Sequence, residues 1–392
     1  MTVGTESLRY VPFGAATWRD PFPLYRRLRD EDPLHWSEEA GCYVLSRFED
    51  VFGAARDTAT FSSAQGLTFR NEVEELGLAP TIVMMDPPDH THYRRLVNRG
   101  FTPRQVDEIE PAVREFVAAR IEELRTAEKA DFIPGLARPL PCFVVANYLG
   151  VSEEDRGQFE GWTESIVQAG SSGHPGSAAD ALAGMYGYFT ELIARRRAEP
   201  GDDMISTLVA ADDGTLEIEQ ILGYAFVMVT GGNDTATGLL GGAAELLTAN
   251  PEQRARLRDD PSTIPNAVEE CLRLTSPVQG LCRVTTRNVT VNGVDLPVGT
   301  RVLLCYGAAN RDPREFGATA EEMDVARPIP RLMTFSSGPH FCLGAAAARL
   351  QGRVVIEELL ARCPDFQVDA DAGVFADGAF TRRYDTLPFA PR

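Results

Sequence analysis

The chain has 392 residues, of which 44% are apolar, and its 57 acidic against 38 basic residues give a formal net charge of −19. This acidic balance argues against general nucleic-acid binding, which needs a basic footprint, and no stretch approaches the roughly 20 apolar residues of a membrane span. The N-terminus lacks signal-peptide features, and seven scattered cysteines lack zinc spacing. We therefore expect a soluble cytoplasmic enzyme without a membrane anchor, folded as one unit over residues 1–392.

Apolar residues recur with helical periodicity over most of the chain, beginning at residues 21–29. A long pattern over residues 103–125 places one apolar face along a helix, formed by Val106, Ile109, Val113, Phe116 and Val117. Residues 42–46 predict a short strand. Residues 169–177, rich in glycine and serine, predict a flexible loop between two helices, and residues 62–85 are poorly periodic. Either segment could be a lid over a buried site or an ordinary solvated loop.

A cationic pattern lies between Asp86 and Arg95. A helix that begins near Asp89 places His90 and Arg94 four residues apart, on one face. Such cations suit a carboxylate-bearing ligand, and arginine offers a bidentate fork. The alternative for each of them is a solvated charge.

The long helical pattern over residues 217–249 contains Gly231-Gly232-Asn-Asp234-Thr235. Glycines inside a helix cost about 1 kcal/mol each relative to alanine, so they indicate a packing or functional requirement, such as room for a cofactor and O2. The Thr235 hydroxyl could turn to the helix backbone, and Asp234 could relay protons from solvent. A glycine-rich helix crossing with a solvated aspartate is an equally good explanation at this stage.

Two further elements follow in the chain. In a helix over residues 266–274, Glu270 and Arg273 share one face and can form an ion pair, which at a surface would contribute little. Residues 288–302 predict a hairpin with Asn292-Gly293 as its turn. Helices thus dominate, and the predicted fold class is mainly α with a small β portion.

The most informative window is residues 335–344, Phe-Ser-Ser-Gly-Pro-His-Phe-Cys-Leu-Gly, directly before an alanine-rich helix. A cysteine before a helix N-terminus faces the positive end of the helix dipole, which favours the thiolate. Gly338 and Gly344 leave room for a flat ligand, Phe335 adds an aromatic surface and His340 a polar donor. This combination indicates an axial thiolate, Cys342, on haem iron. The alternative is a buried structural cysteine.

The pattern F-x-x-G-x-H-x-C-x-G resembles the haem-binding signature of the cytochrome P450 family, and residues 231–235 resemble that family's oxygen-activation motif. Glu270 and Arg273 match its E-x-x-R motif in the correct order. The chain is similar to soluble actinobacterial members, in particular those numbered one hundred and thirty, on residues 60–68, 100–106 and 228–235.

The resemblance implies a triangular prism of about a dozen helices around a buried haem b, with Cys342 as the iron ligand. It implies catalytic roles for Asp234 and Thr235 and a structural role for Glu270 and Arg273. The cofactor-binding residues it implies are His90, Arg94, Gly231, Arg283, Phe335, His340, Cys342 and Gly344. The predicted substrate pocket contains Val83, Met84, Gly231, Gly232, Thr235, Val278 and Leu281, and Cys282 is a further candidate for contact with it.

The activity implied is a haem-thiolate monooxygenase that takes two electrons from a ferredoxin and its reductase, activates O2 and oxidises a lipophilic small molecule. We hypothesise a basic dock for the electron donor, formed by Arg94, Arg95, Arg99, Arg349 and Arg353. Oxidative coupling and peroxide-driven oxidation by the same haem remain alternatives. A haem protein that only senses or stores a ligand is a further alternative from another class.

Overall fold

The computed structural model describes residues 8–11, 15–70, 81–98, 103–172, 175–211 and 218–392. Most of these residues are helical. In chain order the helices are α1 (Ala15–Arg19), α2 (Phe22–Glu31), α3 (Phe48–Arg56), α4 (Asp89–Val97), α5 (Pro103–Thr126), α6 (Pro139–Leu149), α7 (Arg156–Ser172), α8 (Ala179–Ala198), α9 (Met204–Ala211), α10 (Ile218–Ala249), α11 (Pro251–Asp259), α12 (Ile264–Thr275), α13 (Tyr306–Ala309), α14 (Pro313–Phe316) and α15 (Ala345–Arg362). Among the described residues, no helix is long and apolar enough to cross a membrane.

The strands are short and fall into small sheets: β1 (Leu34–Ser37), β2 (Cys42–Leu45), β3 (Phe61–Ser62), β4 (Ala130–Asp131), β5 (Leu281–Thr285), β6 (Val289–Val291), β7 (Val294–Leu296), β8 (Arg301–Leu304), β9 (Gln367–Val368), β10 (Val374–Phe375), β11 (Tyr384–Thr386) and β12 (Pro388–Ala390). The largest sheet has the order β1-β2-β8-β5-β3. Only β2 and β8 run parallel in it. The predicted class, mainly α with a small β portion, is confirmed.

The predicted hairpin is shorter than the sequence pattern indicates. β6 and β7 pair around Asn292 and Gly293, and both turn residues have positive φ, at 48° and 80°, as a two-residue hairpin turn requires. Residues 301–304 do not belong to this hairpin. They form β8, which pairs with both β2 and β5, because a strand between two partners buries its apolar side chains more completely.

The predicted loop over residues 169–177 is wrong in its first part. Helix α7 continues to Ser172, and Ala169 is buried against the neighbouring helices. A short 3₁₀ turn follows at Pro175–Ala178. Burial of Ala169 outweighs the weak helix propensity of the glycine and serines that follow it. In the other poorly periodic segment, residues 71–80 lie outside the described residues.

The largest buried cluster lies between α5, α6, α10, α12 and α15. Helix α10 crosses its centre, and residues 236–244 of this helix are buried without interruption. A second cluster joins the first half of α10 to α6, α7, α8 and α9. The middle of α10 therefore lies between the two clusters, which is where the Gly-Gly-Asn-Asp-Thr segment falls.

Candidate functional site

Cys342 lies in the loop that leads into α15. Its backbone N–H donates to the Phe335 carbonyl over 2.9 Å, and Gly344 is the N-cap residue of the helix. Burial raises the pKa of the Cys342 thiol, although N–H groups at the helix start and two arginine charges oppose the shift. The N–H groups at the helix start favour the thiolate, as expected from the sequence, but they are not sufficient to set the direction of the pKa shift. Desolvation outweighs them, and a bound cation is needed to hold the ionised form.

An arginine of α15 holds the loop that carries Cys342 in place. Arg349 on α15 stacks over the Phe335 ring at 4.7 Å. The same guanidinium donates to both carboxylate oxygens of Glu269 on α12, over 2.5 and 2.9 Å. The Cys342 loop is thus tied to α12 as well as to α15.

Two histidines from distant parts of the chain meet beside the loop. The ring centroids of His90, on α4, and His340 lie 4.3 Å apart, and His340 is 3.3 Å from the Ser63 hydroxyl. Burial, followed by the charges of Arg283, His90 and Arg94, lowers the pKa of His340 to about 3. Burial and Arg94 also lower the pKa of His90. The four residues predicted to bind a carboxylate are therefore brought together, but the lowered pKa values favour neutral histidines, so the positive charge of the cluster comes from Arg94 and Arg283.

This cluster has buried nitrogen atoms without partners. The Nδ1 atom of His90 and the Nε atom of Arg283 are buried without a hydrogen-bond partner in the described part of the chain. Arg283 donates to the backbone carbonyl of Cys282 over 2.7 Å, and Arg94 donates to the Asn98 side chain. Buried donors rarely stay unsatisfied. The cluster therefore fits an anionic ligand, and the two carboxylates of haem are of the right chemistry.

Helix α10 presents an open face at Gly231. A Cβ atom at this position would meet nothing within 4 Å, although the helix is buried on both sides of it. The Thr235 hydroxyl donates to the Gly231 carbonyl over 2.8 Å, so the hydroxyl is turned to the backbone as predicted. Gly232 differs from the prediction. A Cβ atom there would lie 3.1 Å from Val145, so this glycine serves close packing with α6 instead of lining an open space.

Asp234 is not a solvated aspartate. Its carboxylate pairs over 2.7 Å with Arg383, whose side chain is only 7% exposed. Arg383 lies directly before β11 and also pairs with Asp385. Sequence reasoning missed Arg383, because no local pattern connects an arginine 149 positions later in the chain to α10.

The remaining residues of the predicted pocket come from two segments. Val83 and Met84 lie in the 3₁₀ turn Ile82–Met84, and Val278 and Leu281 lie at the approach to β5 and on its first residue; all four are partly buried. Cys282 is fully buried and packs with Cys42 and other residues on the opposite face of the sheet from Arg283. Its predicted contact with the pocket is therefore contradicted by strand alternation.

Glu270 and Arg273 pair inside the protein, and neither side chain is exposed. The two hydrogen bonds between them measure 2.7 and 2.8 Å. Arg273 also donates to the backbone carbonyls of Asn310 and Ala320, and Arg327 reaches Glu270 over 3.2 Å. The pair therefore joins α12 to the segments around α13 and α14, unlike a surface pair.

The five arginines of the hypothesised dock differ in their environments. Arg349 pairs with Glu269, and Arg353 pairs with Glu110 on α5. Their charges are therefore largely neutralised, which weakens the predicted basic surface. Arg95 is exposed and contacts His92, while Arg99 lies outside the described residues.

Comparison with known proteins gives a consistent result. The sequence model described as Cytochrome P450 matches residues 187–371. Cytochrome P450 130 of Mycobacterium tuberculosis (strain ATCC 25618 / H37Rv) is 55% identical over 388 residues, covering 96% of this chain and 96% of that protein. The vitamin D(3) 25-hydroxylase of Pseudonocardia autotrophica is 34% identical and covers 99% of this chain and 97% of its own. The crystal structure of CYP109E1 from Bacillus megaterium in complex with testosterone matches with a TM-score of 0.86 at 29% identity, over 95% of this chain and 99% of that one.

Proposed function

Since this chain belongs to the cytochrome P450 family, whose members are haem b monooxygenases, we propose that it takes two electrons from a ferredoxin and its reductase and inserts oxygen into a lipophilic small molecule. The observation that carries this proposal is the position of Cys342 beside two arginines, Arg94 and Arg283, and two histidines, His90 and His340. Buried nitrogens of His90 and Arg283 have no hydrogen-bond partner among the described residues. A thiolate ligand and a carboxylate-binding cluster are the two features that a haem b site requires.

We assign the cofactor contacts as follows. Cys342 would ligate the iron, while His90, Arg94, Arg283 and His340 would bind the carboxylates. Phe335, Gly231 and Gly344 leave a flat space for the ring, which agrees with the open position of Gly231. Haem bound through a thiolate supplies the chemistry that activates O2, since the thiolate donates electron density that favours O–O cleavage.

Asp234 and Thr235 are the proposed catalytic residues of the chain. Asp234 takes a proton from the solvent side of α10, and Thr235 orients the proton transfer on the side where O2 binds. The hydrogen bond between Thr235 and the Gly231 carbonyl supports this role, because it fixes the hydroxyl on the open face of the helix. Positioned proton transfer of this kind contributes about 10²–10⁴-fold to enzymatic rates.

The proposed substrate is a lipophilic small molecule that lies between α10, the Ile82–Met84 turn and the start of β5. The partly buried apolar side chains of Val83, Met84, Val278 and Leu281 support this proposal, since such pockets bind apolar ligands through a few polar contacts. The Pseudonocardia relative is a vitamin D(3) 25-hydroxylase, and CYP109E1 has been solved in complex with testosterone; both compounds are lipophilic. These compounds are therefore suitable probes.

We further propose that residues 1–392 form one haem domain located in the cytoplasm. One buried cluster includes residues from Trp18 to Phe389, which supports a single folding unit. All seven cysteines are unpaired thiols, which agrees with a reducing compartment. A single cooperative transition in calorimetry tests the first statement.

The first test is the absorbance spectrum of the reduced, carbon-monoxide-bound protein. We expect the spectrum of a thiolate-ligated haem in the natural protein and its loss in C342S. The matched control is C363S, at the other end of α15, where Cys363 is buried among apolar side chains. It should retain the spectrum. A thiolate spectrum in C342S would overturn the assignment of the ligand.

The second test concerns the reaction. Testosterone, vitamin D3 and dodecanoic acid are titrated into the ferric protein, and the change in haem spin state identifies compounds that enter the site. Product formation is then compared with NADPH, ferredoxin and ferredoxin reductase, and with hydrogen peroxide alone. Turnover only with peroxide would favour the peroxide-driven alternative, coupled products would favour oxidative coupling, and ligand binding without turnover would favour the sensor.

A further inference from the structure

A line of alternating charges leads from Asp234 to the protein surface. Asp234, 20% exposed, pairs with Arg383, which is 7% exposed and also pairs with the 45% exposed Asp385. Arg138, at the start of α6, lies 3.5 Å from the Asp385 carboxylate. The same arginine lies 4.0 Å from Glu164, whose side chain is 64% exposed. The buried Arg383 guanidinium therefore lies between the Asp234 carboxylate, which is further inside the protein, and the more exposed Asp385 carboxylate.

Close packing fixes the position of this guanidinium. A Cβ atom on Gly238 would lie 2.7 Å from the Arg382 carbonyl, so only glycine lets the segment before β11 cross α10 one turn beyond Asp234. The Arg382 N–H donates to the Pro277 carbonyl over 2.7 Å, which holds the segment from its other side. The Arg383 backbone is therefore fixed, and the guanidinium lies within reach of both Asp234 and Asp385.

The charged groups recorded around this ion pair come from three parts of the described chain. Arg383 and Asp385 belong to the C-terminal segment, and Arg138 is the N-cap residue of α6. On α10 itself the next carboxylate is Glu245, and it is 3.8 Å from Arg382. Arg383 is therefore the cation in direct contact with the Asp234 carboxylate, at 2.7 Å.

The two carboxylates offer the guanidinium two positions. Its fork can bind both at once, as observed, because arginine presents several donors in a plane. If the Arg383 side chain rotates toward Asp385, the arginine stays paired with that carboxylate while the Asp234 carboxylate is released. An ion pair with a second acceptor can thus open without leaving a buried cation unpaired, which would be costly.

We propose that Arg383 is a positioning residue that holds Asp234 as an ionised carboxylate against the C-terminal segment, and that Asp385 is the acceptor to which the guanidinium turns while Asp234 exchanges a proton with water. This inference rests on the role proposed above for Asp234. In each exchange Asp234 gains one proton from water and passes one proton to the O2-binding side of α10. The Arg383 guanidinium then turns back to the ionised Asp234 carboxylate.

The first experiment follows the protonation of Asp234 by isotope-edited infrared difference spectroscopy, in protein with and without haem. The D234N variant identifies the band. In R383Q we expect the midpoint of protonation to rise by about 1 to 3 pH units, because an opposite charge at this distance favours the ionised form. In D385N we expect the midpoint to fall, because the guanidinium then stays on Asp234.

The second experiment measures NADPH-driven O2 consumption by the holoenzyme with spinach ferredoxin and ferredoxin reductase, in H2O and D2O. Both R383Q and D385N should slow consumption severalfold. D385N should also enlarge the solvent isotope effect, because opening of the ion pair becomes harder. The matched control is R254Q, which removes an arginine that is 8% exposed, stacks on Phe366 and donates to the Phe366 carbonyl. R254Q should leave both the Asp234 midpoint and the isotope effect unchanged.

The outcomes separate the two proposals. Opposite midpoint shifts in R383Q and D385N, together with slower O2 consumption, support the inference. An unchanged midpoint in both variants, or shifts without any effect on O2 consumption, overturns it. If R383Q does not fold, D385N alone decides the matter, because Asp385 is about half exposed and its substitution leaves Arg383 paired with Asp234. No reductant-dependent O2 consumption in the natural holoenzyme would instead overturn the proposed function, while the infrared midpoints would still test Arg383.

Discussion

Two ion pairs near the centre of this protein differ in their access to solvent. Glu270 and Arg273 are both fully buried and have additional partners in the backbone and in Arg327. Asp234 is partly accessible, Arg383 is buried, and the more exposed Asp385 offers the arginine a second carboxylate. The first pair has no alternative arrangement of equal quality, whereas the second has one. The difference indicates that the same type of contact serves as a rigid support in one place and as an exchangeable contact in the other.

The largest expected effect concerns the rigid pair. E270Q leaves Arg273 and Arg327 in the interior without their carboxylate, so we expect unfolding free energy to fall by about 3–5 kcal/mol, with loss of bound haem. Denaturant unfolding and haem content measure these quantities. E31Q, which disrupts the exposed Arg27–Glu31 pair on α2, is the control and should change little. If E270Q were as stable as the natural protein and kept its haem, the structural role assigned to the Glu270–Arg273 pair would be wrong.

The second prediction concerns the exchangeable pair. D234N should keep its haem spectrum and most of its stability, because Asp234 is partly exposed and Arg383 keeps Asp385 as a partner. NADPH-driven O2 consumption should nevertheless fall by about 10²-fold or more. Stopped-flow reduction and O2 uptake measure the two quantities. N233A, on the adjacent buried position of α10, controls for local packing. Equal loss of stability in D234N and E270Q would mean that both pairs are structural.

A smaller effect is expected at a third type of pair, on the protein surface. Hydrogen bonds from Arg353 and Arg114 lower the pKa of Glu110 from 4.5 to about 2. Glu110 therefore contributes stability above its unfolded pKa near 4.5, and this contribution is lost as pH falls toward 2. We expect E110Q to lose on the order of 1 kcal/mol at pH 7, after allowance for solvent screening, and to approach the natural protein in stability near pH 2. Thermal unfolding across this range measures the difference.

The smallest effect is expected for the electron donor. Because Arg353 is paired with Glu110 while Arg95 is exposed, R95E should raise the KM for ferredoxin a few-fold at low salt, and R353E should raise it less. The difference should disappear at high ionic strength, where surface charges are screened. An equal effect of both changes would show that the pairing of Arg353 does not affect docking.

The motifs within short windows were predictable because their geometry is local. Glu270 and Arg273 are three residues apart on one helix, and Asn292-Gly293 fixes its own turn. Contacts across the chain were not predictable. Arg383 reaches Asp234 only because the C-terminal segment packs on α10, and β8 joins two strands that are far apart in sequence. The thiol of Cys342 illustrates the same limit, since the sequence indicates a helix N-terminus but not the burial that outweighs it.

The contact of Arg349 with both Phe335 and Glu269 has a practical consequence. Glu269 is next to Glu270 in α12, so the loop that carries Cys342 is connected to the fully buried Glu270–Arg273 pair. Loosening that pair on heating would release the loop at the same time. The haem absorbance and the helical secondary structure should therefore be lost at the same temperature. A folded form that has lost its haem should not accumulate during storage.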